Sequence, residues 1–207
     1  MSLKRFAALI ALVLGLGLAA GSTWAQQSPE ELITQVSTDV LESVKADKSI
    51  RAGDVKPVMA LVDAKVMPHV NFQRMTSSAV GRYWRQATPD QQKRLQDEFK
   101  TLLVRTYSGA LSQVKDQTVQ LKPMRGNPGD AEVVVRTEVR GKGDPIQLDY
   151  RLEKASGAWK IFDVNVMGVW LVENYRNSFA QEISSNGIDG LIAKLAERNK
   201  TAAANHG

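Results

Sequence analysis

The apolar residues of this chain change their spacing twice, and that change restricts the fold more than any other feature of the sequence. From Ile33 to Leu111 they recur at helical spacing, and they do so again from Val172 onward. Between Val119 and Met167 they alternate with polar residues in short runs separated by turns, which is typical of antiparallel strands with one dry face. Helices, then four strands, then helices predict an α+β fold in which helices cover a curved, four-stranded antiparallel sheet.

Two capping boxes indicate where helices begin. Ser28 and Glu31 enclose one proline-containing first turn, and Thr88 and Gln91 enclose another. In such a box each side chain satisfies a backbone N–H at the start of the helix, and proline is favoured at the first helical position. We expect the second box to open the longest helix of the chain, which ends near Val114.

The first 25 residues have the pattern of a secretory signal peptide. Lys4 and Arg5 precede an apolar stretch over residues 6–21, and small residues flank a cleavage position after Ala25. We therefore expect residues 1–25 to be removed and the mature chain to be exported. No cysteine lies near the cleavage position, so a lipoprotein anchor is not expected.

Residues 26–198 are expected to form a single domain, and residues 199–207 a disordered tail. Without Lys4 and Arg5, the 27 basic residues become 25 against 22 acidic residues, a net charge of +3. That charge is small and is not gathered in runs, which argues against nucleic acid as a partner. The absence of cysteine from the sequence excludes disulfides and thiolate chemistry, and it fits an oxidising compartment.

Few residues offer catalytic or metal-binding chemistry. Of the two histidines, His69 stands alone and His206 lies in the polar C-terminal tail, so no metal site is expected. Asp163 is the candidate acid or base, because a carboxylate in a dry pocket acquires a raised pKa. Strand alternation places Phe162 and Val164 on the opposite face, which favours the alternative that Asp163 points outward or bonds a loop.

Two blocks of sequence carry a resemblance to a known family. The first is Gly-Arg-Tyr-Trp-Arg at residues 81–85, followed by Thr-Pro and a glutamine-rich helix start. The second and more specific block runs through residues 149–152, 157–164 and 168–176. Together they resemble the MlaC family, also called the toluene-tolerance auxiliary proteins, over nearly all of the chain after residue 25.

The resemblance implies a function. Members of this family are periplasmic phospholipid-binding proteins of a transport system that maintains outer-membrane lipid asymmetry. They exchange lipid with an outer-membrane lipoprotein–porin complex and with an inner-membrane ABC transporter that includes a substrate-binding ring protein. The implied fold is nuclear-transport-factor-like, with extra helices around an apolar cavity that holds the acyl chains while the head group stays outside. The resemblance further implies a carrier that is not an enzyme and has no cofactor other than the carried phospholipid. The sequence leaves the oligomeric state open, and a shuttle is most simply a monomer.

Taken with the resemblance, the apolar strand face and the facing side of the long helix are expected to form the lipid pocket, with Val169 and Trp170 at its mouth. Arg82, Arg85 and Arg176 are candidates for the head-group rim because of their charge alone. The expected wall residues are Leu103, Tyr107, Leu111, Val133, Val135, Val139, Leu148, Tyr150, Phe162, Val164 and Val166.

Two positions depart from the family pattern, which commonly has an acidic residue in place of Met167 and a small polar residue in place of Trp170. Two alternative functions also stay open. One is an enzyme of nuclear-transport-factor-like fold that uses Asp163 as acid or base on a hydrophobic small molecule. The other is an interaction module whose core is filled, since apolar stripes are usually core. Cavity volume separates this last alternative from a carrier, because a lipid site needs roughly 1,000 Å³.

Overall fold

The computed structural model describes residues 27–204 apart from residues 126 and 128. The expected signal peptide and residues 205–207 of the expected tail lie outside the described residues. Helices precede and follow one antiparallel sheet, as the changes in apolar spacing predict. The α-helices are α1 (Pro29–Ala46), α2 (Lys48–Ala52), α3 (Val55–Leu61), α4 (Phe72–Val80), α5 (Pro89–Ser108) and α6 (Leu171–Ala204).

Both predicted capping boxes form. The Ser28 hydroxyl accepts a hydrogen bond from the Glu31 N–H, and the Glu31 carboxylate accepts one from the Ser28 N–H. Thr88 and Gln91 make the same exchange at the start of α5. The long helix ends earlier than predicted, because the chain tightens into a 3₁₀ turn at Gly109–Gln113.

The sheet is curved and antiparallel, and its strands pair in chain order. Val133 and Val135 of the second strand face Leu152 and Tyr150 of the third, so the predicted dry face forms as a continuous surface. The strands are β1 (Thr118–Arg125), β2 (Glu132–Arg140), β3 (Ile146–Ala155), β4 (Ala158–Val166) and β5 (Val169–Trp170).

The fifth strand was not predicted, because two residues are too few to show alternation. It follows a tight turn in which Met167 and Gly168 both have positive φ, 51° and 91°. The turn reverses the chain so that Val169 pairs with Val166, and α6 begins directly afterwards.

A bulge in β4 overturns one prediction about side-chain direction. Successive residues of β3 pair with Asp163 and Ile161, so Phe162 is the extra residue between them. Simple alternation along β4 predicts that Phe162 and Val164 share a face of the sheet. That prediction is wrong: Ile161, and not Phe162, packs in the same cluster as Val164. Phe162 instead lies beneath the guanidinium of Arg74, 3.6 Å from its ring centroid.

Helix α1 covers the dry face of the sheet. Its residues Leu32, Ile33 and Val36 are buried against Val135 and Trp159 and their neighbours. The apolar face of α1 therefore packs on the apolar face of the strands beneath it, as an α+β arrangement requires.

A cluster of aromatic rings joins α4, α5 and α6. Phe99 of α5 is fully buried and meets Tyr175 and Phe179 of α6 edge-on, with ring centroids 5.0 and 5.3 Å apart. Phe72 of α4 lies 5.9 Å from the same ring. Edge-to-face aromatic pairs stabilise a fold by more than the burial of their area alone would. These pairs hold three helices around one side chain.

Between α3 and α4 the helix changes its winding. Val62–Val66 form a π-turn and Met67–His69 a 3₁₀ turn. The sequence predicted one continuous amphipathic stripe here, ended by Pro68. A π-turn widens the helix locally and occurs often at functional sites, and this one borders the cavity described below.

The C-terminal segment is helical beyond residue 198, where a disordered tail was expected. Asn199 is buried, and its side-chain amide donates to the backbone carbonyl of Glu98 at 3.0 Å and to its carboxylate at 2.7 Å. A polar residue gave no sign of burial in the sequence, because that burial depends on contact with α5. Within α6, Gly187 has φ 73° and divides the helix in two, since glycine adopts this left-handed conformation without strain.

Removing the cap of α5 should destabilise the protein. Thr88→Ala loses the bond to the Gln91 N–H, and we expect the free energy of unfolding to fall by about 1 kcal/mol. Urea denaturation followed by circular dichroism measures it. Thr101→Ala, in the middle of the same helix, is the matched control and should change stability by less than about 0.5 kcal/mol. Equal losses in the two variants would contradict the capping role.

Candidate functional site

An apolar cavity of about 250 Å³ lies between the sheet and α5. Its walls come from α1, α3, the π-turn and 3₁₀ turn that follow, α4, α5 with the 3₁₀ turn after it, β4 and the start of α6. The lining residues are Val40, Val58, Leu61, Val62, Val66, Met67, Val70, Phe72, Met75, Lys100, Leu103, Val104, Tyr107, Ser108, Leu111, Val164 and Leu171.

The chemistry of this lining suits an apolar ligand. Lys100 is the charged residue among those that line it, and its ammonium donates to the Asp63 carboxylate at 2.7 Å. The polar groups are the hydroxyls of Tyr107 and Ser108, and burial raises the pKa of the Tyr107 hydroxyl above its ordinary value. Hydrocarbon that enters such a cavity leaves water without losing hydrogen bonds.

Four of the residues proposed for the pocket from sequence line this cavity. Leu103, Tyr107 and Leu111 come from the long helix and the turn after it, and Val164 comes from β4. The long helix therefore contributes as expected, but of the apolar strand face that was expected to oppose it only Val164 lines the cavity.

Other proposed wall residues lie under α1 and do not line the cavity. Val133 and Val135 are buried against Leu32 and Ile33, in a part of the core that is filled. Tyr150 packs at the edge of the same cluster, where burial raises the pKa of its hydroxyl. The strand face is continuous, but α1 covers this part of it.

The remaining proposed residues lie at or beyond the edge of the sheet's dry face. Val139, Leu148 and Val166 are half-buried at the end of the sheet opposite the α1 N-terminus, and they do not line the cavity. Phe162 is removed from the cavity by the bulge described above. Of the two residues proposed for the mouth, Val169 is 51% exposed and Trp170 stacks on the guanidinium of Arg151 at 3.9 Å.

The cavity walls that sequence reasoning missed come mainly from α3 to α4. The stripe of apolar residues from Val55 to Val66 was visible in the sequence as one face of a helix. Its inner members Val58, Leu61 and Val66 face the cavity. The spacing of these apolar residues indicates that the face is buried. It does not indicate whether the face borders a cavity or packs against other side chains.

Asp163 is buried but does not line the cavity. Its side chain is 1% exposed, and its carboxylate accepts from the Val164 N–H at 2.9 Å, the Val172 N–H at 3.1 Å and the Arg151 guanidinium at 3.1 Å. Burial raises the pKa of the Asp163 carboxyl above its ordinary value, and these donors oppose the rise. The carboxylate thus joins β3, β4 and the first turn of α6. Because Asp163 is paired with an arginine in this way, the enzyme alternative loses the residue on which it depended.

The arginines proposed for the head-group rim lie elsewhere. Arg82 and Arg176 line a separate cleft between the end of α4 and α6, which shares no lining residue with the apolar cavity. Arg176 donates from Nε to the Ser78 carbonyl at 3.1 Å, and Arg82 donates to the Tyr83 hydroxyl at 2.9 Å. Arg85 is exposed on the 3₁₀ turn Gly81–Gln86.

The described residues offer neither a metal site nor a membrane-crossing helix. Within residues 27–204, no three His, Asp or Glu side chains are grouped so that they could hold a metal ion. Among the helices of the described chain, none combines the length and apolar character needed to cross a bilayer.

Fold and cavity together define a class of small α+β proteins built around an apolar internal space, with helices packed against one face of an antiparallel sheet. The sequence profile of the family described as "MlaC protein" matches residues 34–197. The chain belongs to the MlaC family.

Known proteins similar to this chain include two curated relatives. The "Toluene tolerance protein ttg2D" of Pseudomonas putida is 27% identical over 187 residues, 87% of each chain. The "Intermembrane phospholipid transport system binding protein MlaC" of Haemophilus influenzae is 24% identical over 201 residues, 95% of this chain and 94% of the relative.

A solved structure is also similar. It is the phospholipid-binding protein from Ralstonia solanacearum in complex with a phospholipid, which is 46% identical to this chain with a TM-score of 0.82. The match covers 86% of this chain and 99% of that protein.

Proposed function

We propose that this chain is a periplasmic phospholipid carrier, which holds the acyl chains in the apolar cavity and shuttles lipid between the outer and inner membranes. It acts in the system that maintains outer-membrane lipid asymmetry. Its partners are an outer-membrane lipoprotein–porin complex and an inner-membrane ABC transporter with a substrate-binding ring protein. It works as a monomer and catalyses no reaction.

The observation that carries this proposal is the apolar cavity, in a fold shared with a protein solved in complex with phospholipid. At 46% identity and a TM-score of 0.82, the R. solanacearum protein, which was solved with a bound phospholipid, supports phospholipid as the ligand of this fold. The curated H. influenzae relative, named for intermembrane phospholipid transport, supports the role in transport.

The energetics explain why such transport needs a carrier. Each methylene removed from water is worth about 0.8 kcal/mol, so a lipid with roughly thirty of them faces a barrier of about 20 kcal/mol or more in free solution. When a carrier with a dry cavity takes up a lipid, the acyl chains pass from one apolar environment, the bilayer, to another. The exchange itself then gains little, and the direction of transport is set by the partners.

The size of the cavity places a condition on the proposal. Its 250 Å³ is well below the roughly 1,000 Å³ expected of a lipid site, so two acyl chains enter only if the walls move apart. The walls on one side are short elements, α3 (Val55–Leu61) and the π-turn and 3₁₀ turn after it. Short segments of this kind separate from a core more easily than the sheet does.

Export to the periplasm rests on the amino-acid pattern of residues 1–25 and on the absence of cysteine from the sequence. The head group of the lipid stays outside the cavity in this proposal, because the lining is apolar. The filled-core alternative remains the competing interpretation, since the small volume of the cavity favours it.

Native mass spectrometry tests the proposal. The mature protein is purified without detergent, and we expect a bound mass that denaturing extraction identifies as phospholipid. Incubation with phospholipid vesicles should raise the loaded fraction. A protein mass without ligand that stays unchanged after this incubation would favour the filled-core interaction module instead.

A further inference from the structure

The apolar cavity and a second cleft are lined by different residues of the same two elements, α3 with its π-turn and α5. We call the second one the polar cleft; it is lined by Asp54, Lys56, Asp63, Thr101 and Arg105, together with apolar neighbours. Lys100 belongs to the lining of the cavity and Asp63 to that of the polar cleft. The 2.7 Å ion pair between them therefore lies where the two spaces meet.

We propose that Lys100 binds the phosphate of the lipid head group, and that this phosphate replaces Asp63 as the partner of its ammonium. The inference rests on the proposed function and adds to it the residue that distinguishes a phospholipid from an uncharged lipid. A phospholipid joins two apolar chains to one anionic phosphate. The lining of the cavity has the matching composition, because it is apolar apart from two hydroxyls and this single cation.

The position of Lys100 suits this role. Leu103, Val104 and Tyr107 follow it on α5 and line the cavity with it, while its side chain remains 25% exposed. Lysine commonly lays its apolar stem along a hydrophobic surface and keeps its ammonium in a polar environment. An acyl chain in the cavity would thus run along the stem, and its phosphate would lie beside the ammonium.

Exchange of the carboxylate for a phosphate is energetically easy. The Asp63 side chain is 49% exposed, and ion pairs this open to water contribute little to stability. The carboxylate recovers its hydration once it is released. A phosphate oxygen offers the ammonium a charge-assisted hydrogen bond of at least equal strength.

The lining of the polar cleft has further cationic groups. Arg105 lies on the same helix, and its Nε is buried without a hydrogen-bond partner in the described part of the chain. Lys56 lines the cleft from α3. The arginines first considered for the head group, Arg82 and Arg176, line a cleft that shares no residue with the cavity, so the geometry points to Lys100 instead.

The test compares two lipids that differ only in the phosphate head group. Protein freed of lipid is incubated with vesicles that contain phosphatidylglycerol and diacylglycerol with the same acyl chains, and native mass spectrometry measures the ratio in which they load. The wild-type protein should prefer the phospholipid. Lys100→Met should lower that ratio by about tenfold or more, because charged hydrogen bonds of ordinary strength correspond to at least that factor.

Three further variants make the result specific. Lys100→Arg keeps a cation and should retain the preference. Lys93→Met is the matched control, because Lys93 lies on the same helix and pairs with Asp97 in solvent, away from the cavity. Asp63→Asn frees the ammonium and should keep or raise the phospholipid ratio. If the ion pair only joined α5 to the π-turn, Asp63→Asn and Lys100→Met would change loading alike.

The outcomes separate this inference from the proposed function. Phospholipid bound by the wild-type protein with the same ratio in Lys100→Met would overturn the role of Lys100 and leave the carrier intact. No binding of either lipid by the wild-type protein would remove the carrier itself. Should Lys100→Met fold poorly by circular dichroism, Lys100→Gln provides the same comparison with a polar side chain of similar length.

Discussion

The variant Asp163→Ala should be less stable than the wild-type protein by about 2–4 kcal/mol, because it leaves buried donors without their acceptor. The Asp163 carboxylate accepts from the Val172 N–H in the first turn of α6 and from Arg151 of β3. Alanine would leave the N–H groups of Val164 and Val172 unpaired at a site where the side chain is 1% exposed. Urea denaturation followed by circular dichroism measures the loss.

Asp149→Ala is the matched control for this loss. Asp149 lies on the neighbouring strand and is also buried, at 9% exposure against 1% for Asp163. It accepts a hydrogen bond from the Gln147 amide, but its closest cation, Arg136, is 4.0 Å away and its Oδ1 has no hydrogen-bond partner among the described residues. We therefore expect Asp149→Ala to cost clearly less. Equal costs would show that burial of a carboxylate, and not its three donors, determines the stability of this junction.

Asp163 should also make stability depend on pH. Burial raises the pKa of its carboxyl in the folded protein above the ordinary value of 3.8. The folded state then binds this proton more tightly than the unfolded chain does, so the contribution of Asp163 to stability declines as the pH rises from below 3.8 through the raised pKa. Asp163→Asn removes the titrating group and should flatten this part of the stability–pH curve.

The sequence was informative wherever a structure depends on neighbours along the chain. Alternating apolar residues predicted β1 to β4, and the capping boxes at Ser28 and Thr88 predicted the starts of α1 and α5 to the residue. These features are local, since a capping box exchanges hydrogen bonds within one turn and alternation follows from the pleat of a single strand.

Features that depend on distant contacts were predicted poorly. The bulge at Phe162 is stabilised by Arg74 from α4, and nothing in the strand's own sequence required it. The spacing of Val133 and Val135 predicts cavity walls, because spacing alone cannot show that α1 covers them. A buried face has the same sequence pattern whether it meets a side chain or a cavity, so the two could be told apart only in three dimensions.

Filling the cavity provides the most direct test of where the lipid binds. Leu103→Trp places a larger ring in a space of about 250 Å³. If that ring displaces even two methylenes of an acyl chain, binding loses about 1.6 kcal/mol, which exceeds a factor of ten in affinity. We therefore expect the affinity for phospholipid to fall at least tenfold, measured by native mass spectrometry after incubation with vesicles over a range of lipid concentrations.

The control for this substitution has to add the same ring elsewhere. Leu121→Trp suits the purpose, because Leu121 is 43% exposed on β1 and does not line the cavity. It should load like the wild-type protein. Near-UV circular dichroism verifies that Leu103→Trp keeps a packed core, since overpacking costs about 1–3 kcal/mol and should leave the fold intact. A folded Leu103→Trp variant that still carries phospholipid at the wild-type level would mean that the acyl chains bind outside this cavity.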